Sequence, residues 1–454
     1  MIAPHIKETI YSKGASVIRK MFEEGIVLKK QHGDDNVFDF SLGNPDLDPP
    51  QKVVQAIQDE AKDVSHGCHG YMPNAGYPFV REAIAQKISK EQGVSVTGEH
   101  IVMTVGAASA LNCVFKAILN PGDEVIVPAP FFAEYRHYAK NHSGVLVEVP
   151  TKEDFSLDTE AIKAHLSAKT AAVLINNPNN PTGKIYSQDD ITALASILNE
   201  NNKKTGRITY LICDEPYRAI VYDGAKVAPA FQFYDHTVIV SSFAKDLSLP
   251  GERIGYVAVN PASDNPAEFI KAVTFALRVL GCVNAPAFFQ KVIAKSWDAK
   301  VDYSSYKIRR DKLMAVLDKA GIKYHRPEGA FYLFCKVPEN FNGDDGDFCD
   351  HLKKFLILAA PGTGFDVLGD AQTVSLIPAE NKTVYDQFLA VDAAIAAADG
   401  IMNGIALAPQ GKSIVLGATD GIGHPLFTPG TGSNTVGNIL GAPVQVKKGV
   451  YAAG

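Results

Sequence analysis

"HIVMTVGAASALNCVFKAILNPGDEVIVPAP", residues His100 to Pro130, holds the repeating unit of this chain. "IVMTV" is apolar throughout rather than alternating, which suits a strand covered on both faces. Gly106 interrupts it, and small residues then open "GAASALNCVFKAIL", whose apolar spacing is helical. "DEVIVPAP" returns to the strand pattern. Moving outward, "GVLVEVP", "TAAVLINNPNNPTG", "ITYLICDEPY", "TVIVSSFAK" and "RIGYVAVN" read as further strands. "FFAEYRHYAKNH", "LDTEAIKAHLS" and "SQDDITALASILNENN" read as the helices between them, the last with Ser187 as its N-cap. Strands alternating with helices over about 100–260 predict an α/β fold around a mainly parallel sheet, with ligands bound beyond the strand ends.

The flanks differ in character. Val17, Ile18, Met21, Phe22 and Ile26 have helical spacing over 15–32, up to Gly33. "VFDFSLGNPDLDPP" reads as a short strand running into a proline break, and "PPQKVVQAIQDEAK" as a helix opened by prolines. After residue 260, "AEFIKAVTFALRVL", "APAFFQKVIAKSW" and "VDYSSYKIRRDKLMAVLDKAG" are expected helices and "GAFYLFCKV" a strand. "DFCDHLKKF" and "VYDQFLAVDAAIAAA" are expected helices as well. A chain of 454 residues exceeds what one core usually spans. The expected division is an N-terminal segment 1–47 packing with the smaller domain, a large domain 48–299, a smaller α+β domain 300–400 and an appendage 401–454. The appendage is rich in Gly, Thr and Pro, with "KSIVLGA" and "APVQVKKGVYA" as short strands.

Composition narrows the function classes. Hydrophobic content of 46% with 21% charged residues suits a globular protein with a sizeable core. The net charge of −6 is mild and its basic residues are dispersed, which argues against nucleic-acid or anionic-membrane partners. No apolar run approaches the roughly 20 residues of a membrane span, and the polar start "MIAPHIKETIYSKG" has no signal pattern. Cys68, Cys113, Cys213, Cys282, Cys335 and Cys349 are scattered without metal-ligand spacing. They are expected to be reduced, mostly core residues of a cytoplasmic protein, with no metal bound.

The strand exits carry the chemistry. Ala107 and Ala108 follow Gly106 at a helix N-terminus, where small side chains let an anion approach free N–H groups. Asn180 follows the fourth strand, Asp214 and Tyr217 the fifth, and Ser242 and Lys245 the sixth, with Arg253 beyond. This set suits a cofactor with one phosphate, one basic ring nitrogen, one phenolic oxygen and one aldehyde. The helix N-terminus, Ser242 and Arg253 would take the phosphate. Asp214 would hold a proton on the ring nitrogen, Asn180 and Tyr217 would bond the phenolic oxygen, and Phe132 would stack on the ring. Lys245, its pKa lowered by burial and neighbouring cations, would bind the aldehyde as a Schiff base. Taken singly, each residue has a blander reading as a cap, turn, core or surface group.

"SLGNPD", "GYMPNAGYPFVREAIA", "NNPNNPTG", "CDEPYR" and "SSFAKDLSLPGERIGY" resemble, in order and spacing, the fold-type I pyridoxal-phosphate enzymes. Within these they resemble the class I/II aminotransferases of the aspartate aminotransferase superfamily, across about 15–335. The resemblance implies pyridoxal 5′-phosphate as cofactor, a sheet of seven strands, and transfer of an amino group between an amino acid and a 2-oxo acid. It implies a homodimer in which Tyr71 reaches the neighbouring subunit's phosphate. It also places Gly43 beside the substrate carboxylate and makes the Asn180–Pro181 bond a candidate cis peptide. The stretch "RVLGCVNAPA" would line the distal pocket, with Asn284 its polar contact. Arg278 is either a selector of acidic substrates or a helix-surface residue.

One feature departs from the family pattern. An arginine that clamps the substrate carboxylate is expected after "PGTGF", near Val374, yet no arginine follows Arg326. Lys382 offers a point charge rather than a planar fork. Three readings compete: a substrate without that carboxylate, another cation as clamp, or an altered C-terminal region. The same cofactor chemistry also serves lyases, racemases and decarboxylases, and a non-catalytic cofactor-binding protein is the reading of a different class.

Overall fold

The computed structural model describes residues 2–3, 6–7, 17–41 and 43–365, and four short strands at 405–407, 428–429, 437–439 and 442–446. The chain forms two compact units, Met1–Val367 and Leu368–Gly454. The first is built on a seven-stranded sheet. Its strands are β1 (Ile101–Thr104), β2 (Glu124–Ala129), β3 (Val145–Pro150), β4 (Thr170–Asn176), β5 (Tyr210–Asp214), β6 (Thr237–Ser242) and β7 (Gly255–Val259). In space they lie β1-β7-β6-β5-β4-β2-β3. All neighbours are parallel except β7, which runs antiparallel to both β1 and β6. The predicted α/β class and mainly parallel sheet are therefore present.

Successive residues of these strands enter two separate cores, which explains the unbroken apolar runs. Met103, Val173, Ile175, Leu211 and Ile239 face one cluster, with helices α1 (Pro78–Gln92) and α3 (Gln188–Thr205). Val102, Val125, Leu174, Ile212 and Val257 face the other, with α2 (Gly106–Ile118) and α4 (Pro266–Val279). A strand covered on both faces gains from burying every side chain, at about 1.5–3 kcal/mol for each large aliphatic. All seven residues of β4 are buried. Ser187 caps α3 as expected, its side chain accepting from the Asp190 N–H.

The N-terminal helix spans Val17–His32 and stops at Gly33, whose φ is +87°. Phe38–Asp39 pairs in parallel with Ile357–Leu358, joining the N-terminal segment to a late part of the same unit. Two elements are shorter than their sequences suggest. The helix expected over "FFAEYRHYAKNH" covers only Tyr135–Lys140. "GAFYLFCKV" forms a strand only at Phe334–Cys335, because Ala330 takes φ +56° and its N–H bonds to the Ile220 carbonyl. The chain thus turns inward where an extended strand was expected. Cys113, Cys213 and Cys349 are buried, whereas Cys335 is exposed, so fewer cysteines are core than expected.

In the second unit, 405–407 pairs in parallel with 442–446, and 437–439 and 428–429 continue that sheet antiparallel. Ala442–Val446 falls within the expected "APVQVKKGVYA" strand. The expected strand "KSIVLGA" and helix "VYDQFLAVDAAIAAA", and the Val374 position, lie outside the described residues. Among the described residues, no helix is long and apolar enough to cross a membrane.

Candidate active site

Sheet register brings the polar residues together. Asn176 pairs with Asp214, Asp214 with Val240, and Ser242 with Gly255, so the exits of β4, β5 and β6 share one edge. Because β7 is antiparallel, its first residues lie at that edge too, which returns Arg253 beside Lys245's loop.

The anion-binding end is a close fit. No side chain caps α2, and the first N–H groups of a helix have no intrahelical acceptor. A Cβ on Gly106 would lie 2.9 Å from Arg253 Nη2, so the guanidinium rests against the helix start. Gly106 also holds φ +81°, which favours glycine. Arg253 itself adopts φ +54°, and its Nη1 donates to the Pro250 carbonyl at 3.0 Å. Ser242 is buried at the end of β6 and does not cap the short helix Phe243–Asp246. Ala107 and Ala108, half-buried in the first turn, leave the approach open.

Asp214 is buried, and burial raises its pKa to about 7 against the lowering effect of a hydrogen bond from Tyr135. Tyr135 Oη donates to Oδ2 at 2.5 Å, while Oδ1 is buried without a partner among the described residues. Asn180 Oδ1 is likewise buried and unpartnered. A buried carboxylate oxygen without a donor is costly unless a ligand supplies one. The Asn180 turn is built by neighbouring amides. Asn176 Oδ1 accepts from Asn180 N–H at 2.6 Å, and Asn179 Oδ1 accepts from Thr182 N–H and Oγ1. Asn180–Pro181 is cis, as are Asn177–Pro178 and Ala129–Pro130.

Lys245 is half-buried, and its pKa is lowered to about 8, first by burial and then by the charge of Arg253. Its Nζ donates to the Gly43 carbonyl at 2.8 Å and lies 5.3 Å from the Phe331 ring centre. Gly43 therefore meets the lysine through its backbone. Tyr217 is buried, and its hydroxyl lies 2.6 Å from that of Tyr332. Phe132 packs edge-on to Tyr135 at 5.6 Å between ring centres.

Three expected residues stand apart within one chain. Tyr71 is 94% exposed and does not join this site. Asn284 Nδ2 donates to the Pro73 carbonyl at 3.1 Å, bracing the loop after Tyr71, while its Oδ1 is buried without a partner. Arg278 is exposed, lying over Phe275. The sequence reading missed Tyr135, Phe331, Tyr332 and Asn176. Tyr135 carried a signal, since it follows Phe132 by one helical turn. The amide of Asn176 was implicit in the asparagine-rich "INNPNNP". Among the described residues, no cluster of His, Cys, Asp and Glu could hold a metal ion.

The donor set fits pyridoxal phosphate. It offers a helix start with a guanidinium for a dianion, a buried free carboxylate oxygen for a protonated ring nitrogen, and an amine of lowered pKa. Comparison with known proteins points the same way. A family model described as aminotransferase class I and II matches residues 35–376. The aspartate/prephenate aminotransferase of Thermus thermophilus is 33% identical over 351 residues, covering 75% of this chain and 87% of that protein. A solved aminotransferase from Eubacterium rectale superposes with a TM-score of 0.76 at 38% identity, covering 80% of this chain and 91% of that one. Thermus thermophilus aspartate aminotransferase, solved with maleate, gives 0.71 at 30% identity, covering 80% and 92%.

Proposed function

Since the chain belongs to the class I and II aminotransferases, we propose how its own residues carry out the transfer of an amino group to a 2-oxo acid. The family implies pyridoxal 5′-phosphate, which when bound supplies an electron sink for the pair left on the substrate carbon after proton loss. The first turn of α2, through Ala107 and Ala108, binds its phosphate together with Ser242 and Arg253. Asp214 Oδ1 holds a proton at the ring nitrogen. Asn180 and Tyr217 orient the phenolic oxygen, and Phe132 covers one ring face. Lys245 would hold the aldehyde, and as a free amine its Nζ would take the substrate α-proton. The observation that carries this reading is the buried Asp214 Oδ1, unpartnered among the described residues, at the sheet edge shared with Lys245.

Aspartate is the donor we propose, because the two Thermus thermophilus proteins named above are aspartate aminotransferases and one was solved with a dicarboxylate. Its α-carboxylate sits beside Gly43 in this reading, without the clamp arginine of the family pattern, because no arginine follows Arg326. Weak substrate affinity follows, since no planar guanidinium fork takes the carboxylate at that position. The working form is proposed to be a cytoplasmic homodimer in which Tyr71 serves its partner's site. Residues 48–299 act as the cofactor-binding domain and 300–400 as the smaller domain, with 401–454 an appendage.

Borohydride reduction of the cofactor-loaded protein, followed by mass measurement, should fix one cofactor on Lys245 and none on Lys245→Ala. Aspartate added without any acceptor should release one oxo acid per site. Label at another residue, or product in excess of sites without acceptor, would count against transamination at this lysine.

A further inference from the structure

We propose that Tyr332 is a positioning residue for Tyr217, donating to its hydroxyl and so leaving the Tyr217 proton for the phenolic oxygen of the cofactor. This rests on the cofactor site proposed above and adds a residue to it.

The two hydroxyl oxygens are 2.6 Å apart, with their rings edge-to-face at 5.6 Å between centres. Two tyrosines bring two protons, and the bond between them uses one. Whichever ring donates leaves the other ring's proton free for a third group. When Tyr332 donates, Tyr217 has the free proton, and a chain of hydrogen bonds polarises in that direction. The opposite orientation would leave Tyr332 as the donor, next to Gly43.

The turn just before Tyr332 is pinned by hydrogen bonds. Glu328 and Gly329 donate their N–H groups to the Gly183 carbonyl at 2.9 and 3.0 Å. Tyr222 N–H donates to the Glu328 carbonyl, and Ala330 N–H to that of Ile220, both at 2.9 Å. Tyr222 Oη donates to the Ala330 carbonyl at 2.5 Å. These bonds fasten 328–330 to the chain just after β4 and β5, where Asn180 and Tyr217 originate. Ala330 is kept at φ +56°, a conformation that costs an ordinary residue energy and persists only when its surroundings impose it. On the far side, a Cβ on Gly43 would lie 2.6 Å from Tyr332 Oη, so the ring has little room to swing away.

The test uses the protein loaded with pyridoxal phosphate and follows the pH midpoint of the cofactor's visible band. Removing a donor from the phenolic oxygen raises charge density there, so Tyr217→Phe should move the midpoint up. Tyr332→Phe should move it in the same direction by a smaller amount, roughly half a unit to one unit for one lost hydrogen bond. In the double variant, the loss of Tyr332 should add nothing, because it acts through Tyr217. Tyr332→Met removes the hydroxyl with a smaller, adaptable apolar side chain and carries the same test should the phenylalanine variant fail to fold. An unmoved midpoint in a folded Tyr332 variant, or an equal shift when Tyr217 is already Phe, overturns the inference. So does a raised KM for the amino acid with an unmoved midpoint, which would assign Tyr332 to the substrate. A parent protein without any visible band would overturn the cofactor reading and this inference with it.

Discussion

At the residue scale, two titrating groups set the behaviour of the site. Lys245 titrates at about 8 rather than 10.5. Capture of pyridoxal phosphate by the cofactor-free protein needs the neutral amine. It should quicken roughly tenfold per pH unit up to about pH 8 and then level off; stopped-flow absorption measures this, and a rate still climbing near pH 10 would refute the lowered value. Asp214 is raised from 3.8 to about 7 by burial. Its contribution to stability is therefore fully present below about pH 4 and lost as pH rises through about 7. Asp214→Asn should leave the cofactor-free protein at least as resistant to urea as the parent at about pH 8, yet lower turnover by about a hundredfold or more. Marked destabilisation at that pH would contradict the burial account. Lys245 and Asp214 were legible in the sequence because each follows an apolar run and falls within a motif, "SSFAKDLSLPGERIGY" or "CDEPYR", that resembles the family. Tyr135 and Tyr332 were not. They act on partners 79 and 115 residues away, and in their own segments they read as ordinary core aromatics.

At the element scale, the meeting of α2 with β7 is the most constrained junction. A Cβ on Gly255 would come within 2.6 Å of the Ser241 carbonyl oxygen and 2.8 Å of Gly106 C, so two backbones touch directly. Gly106→Ala would push on Arg253 and strain a positive φ at once. It should weaken pyridoxal-phosphate binding about tenfold or more and cost about 1–3 kcal/mol of stability, read by cofactor titration and by urea unfolding. Unchanged cofactor affinity would separate Arg253 from the phosphate. The helices and strands of the sheet were legible because apolar runs and helical spacing alternate regularly. "GAFYLFCKV" misled because a strand-like composition does not reveal that an alanine will sit in the left-handed region at Ala330. Contacts with residues 183 and 220 impose that turn, and local propensity opposes it.

At the scale of the whole molecule, one chain leaves Tyr71 exposed, and the proposed dimer gives it a site to serve. Lys245→Ala and Tyr71→Ala homodimers should each be impaired. Unfolded together and refolded as a mixture, they should regain activity, because each hybrid dimer contains one site with both residues intact. No recovery despite hybrid formation, checked by native mass spectrometry, would show that Tyr71 acts within its own subunit or not at all. The sequence could not decide this, since an exposed tyrosine and an interfacial one look alike before the partner is present. The antiparallel run of β7 has a wider consequence. Ser242 and Gly255 are register partners, so the sheet clasps both ends of the segment bearing Lys245 and Arg253. That segment is a cassette. Grafted between related chains at those two residues, it would carry anchor and anion holder together, and the recipient's sheet would set their spacing.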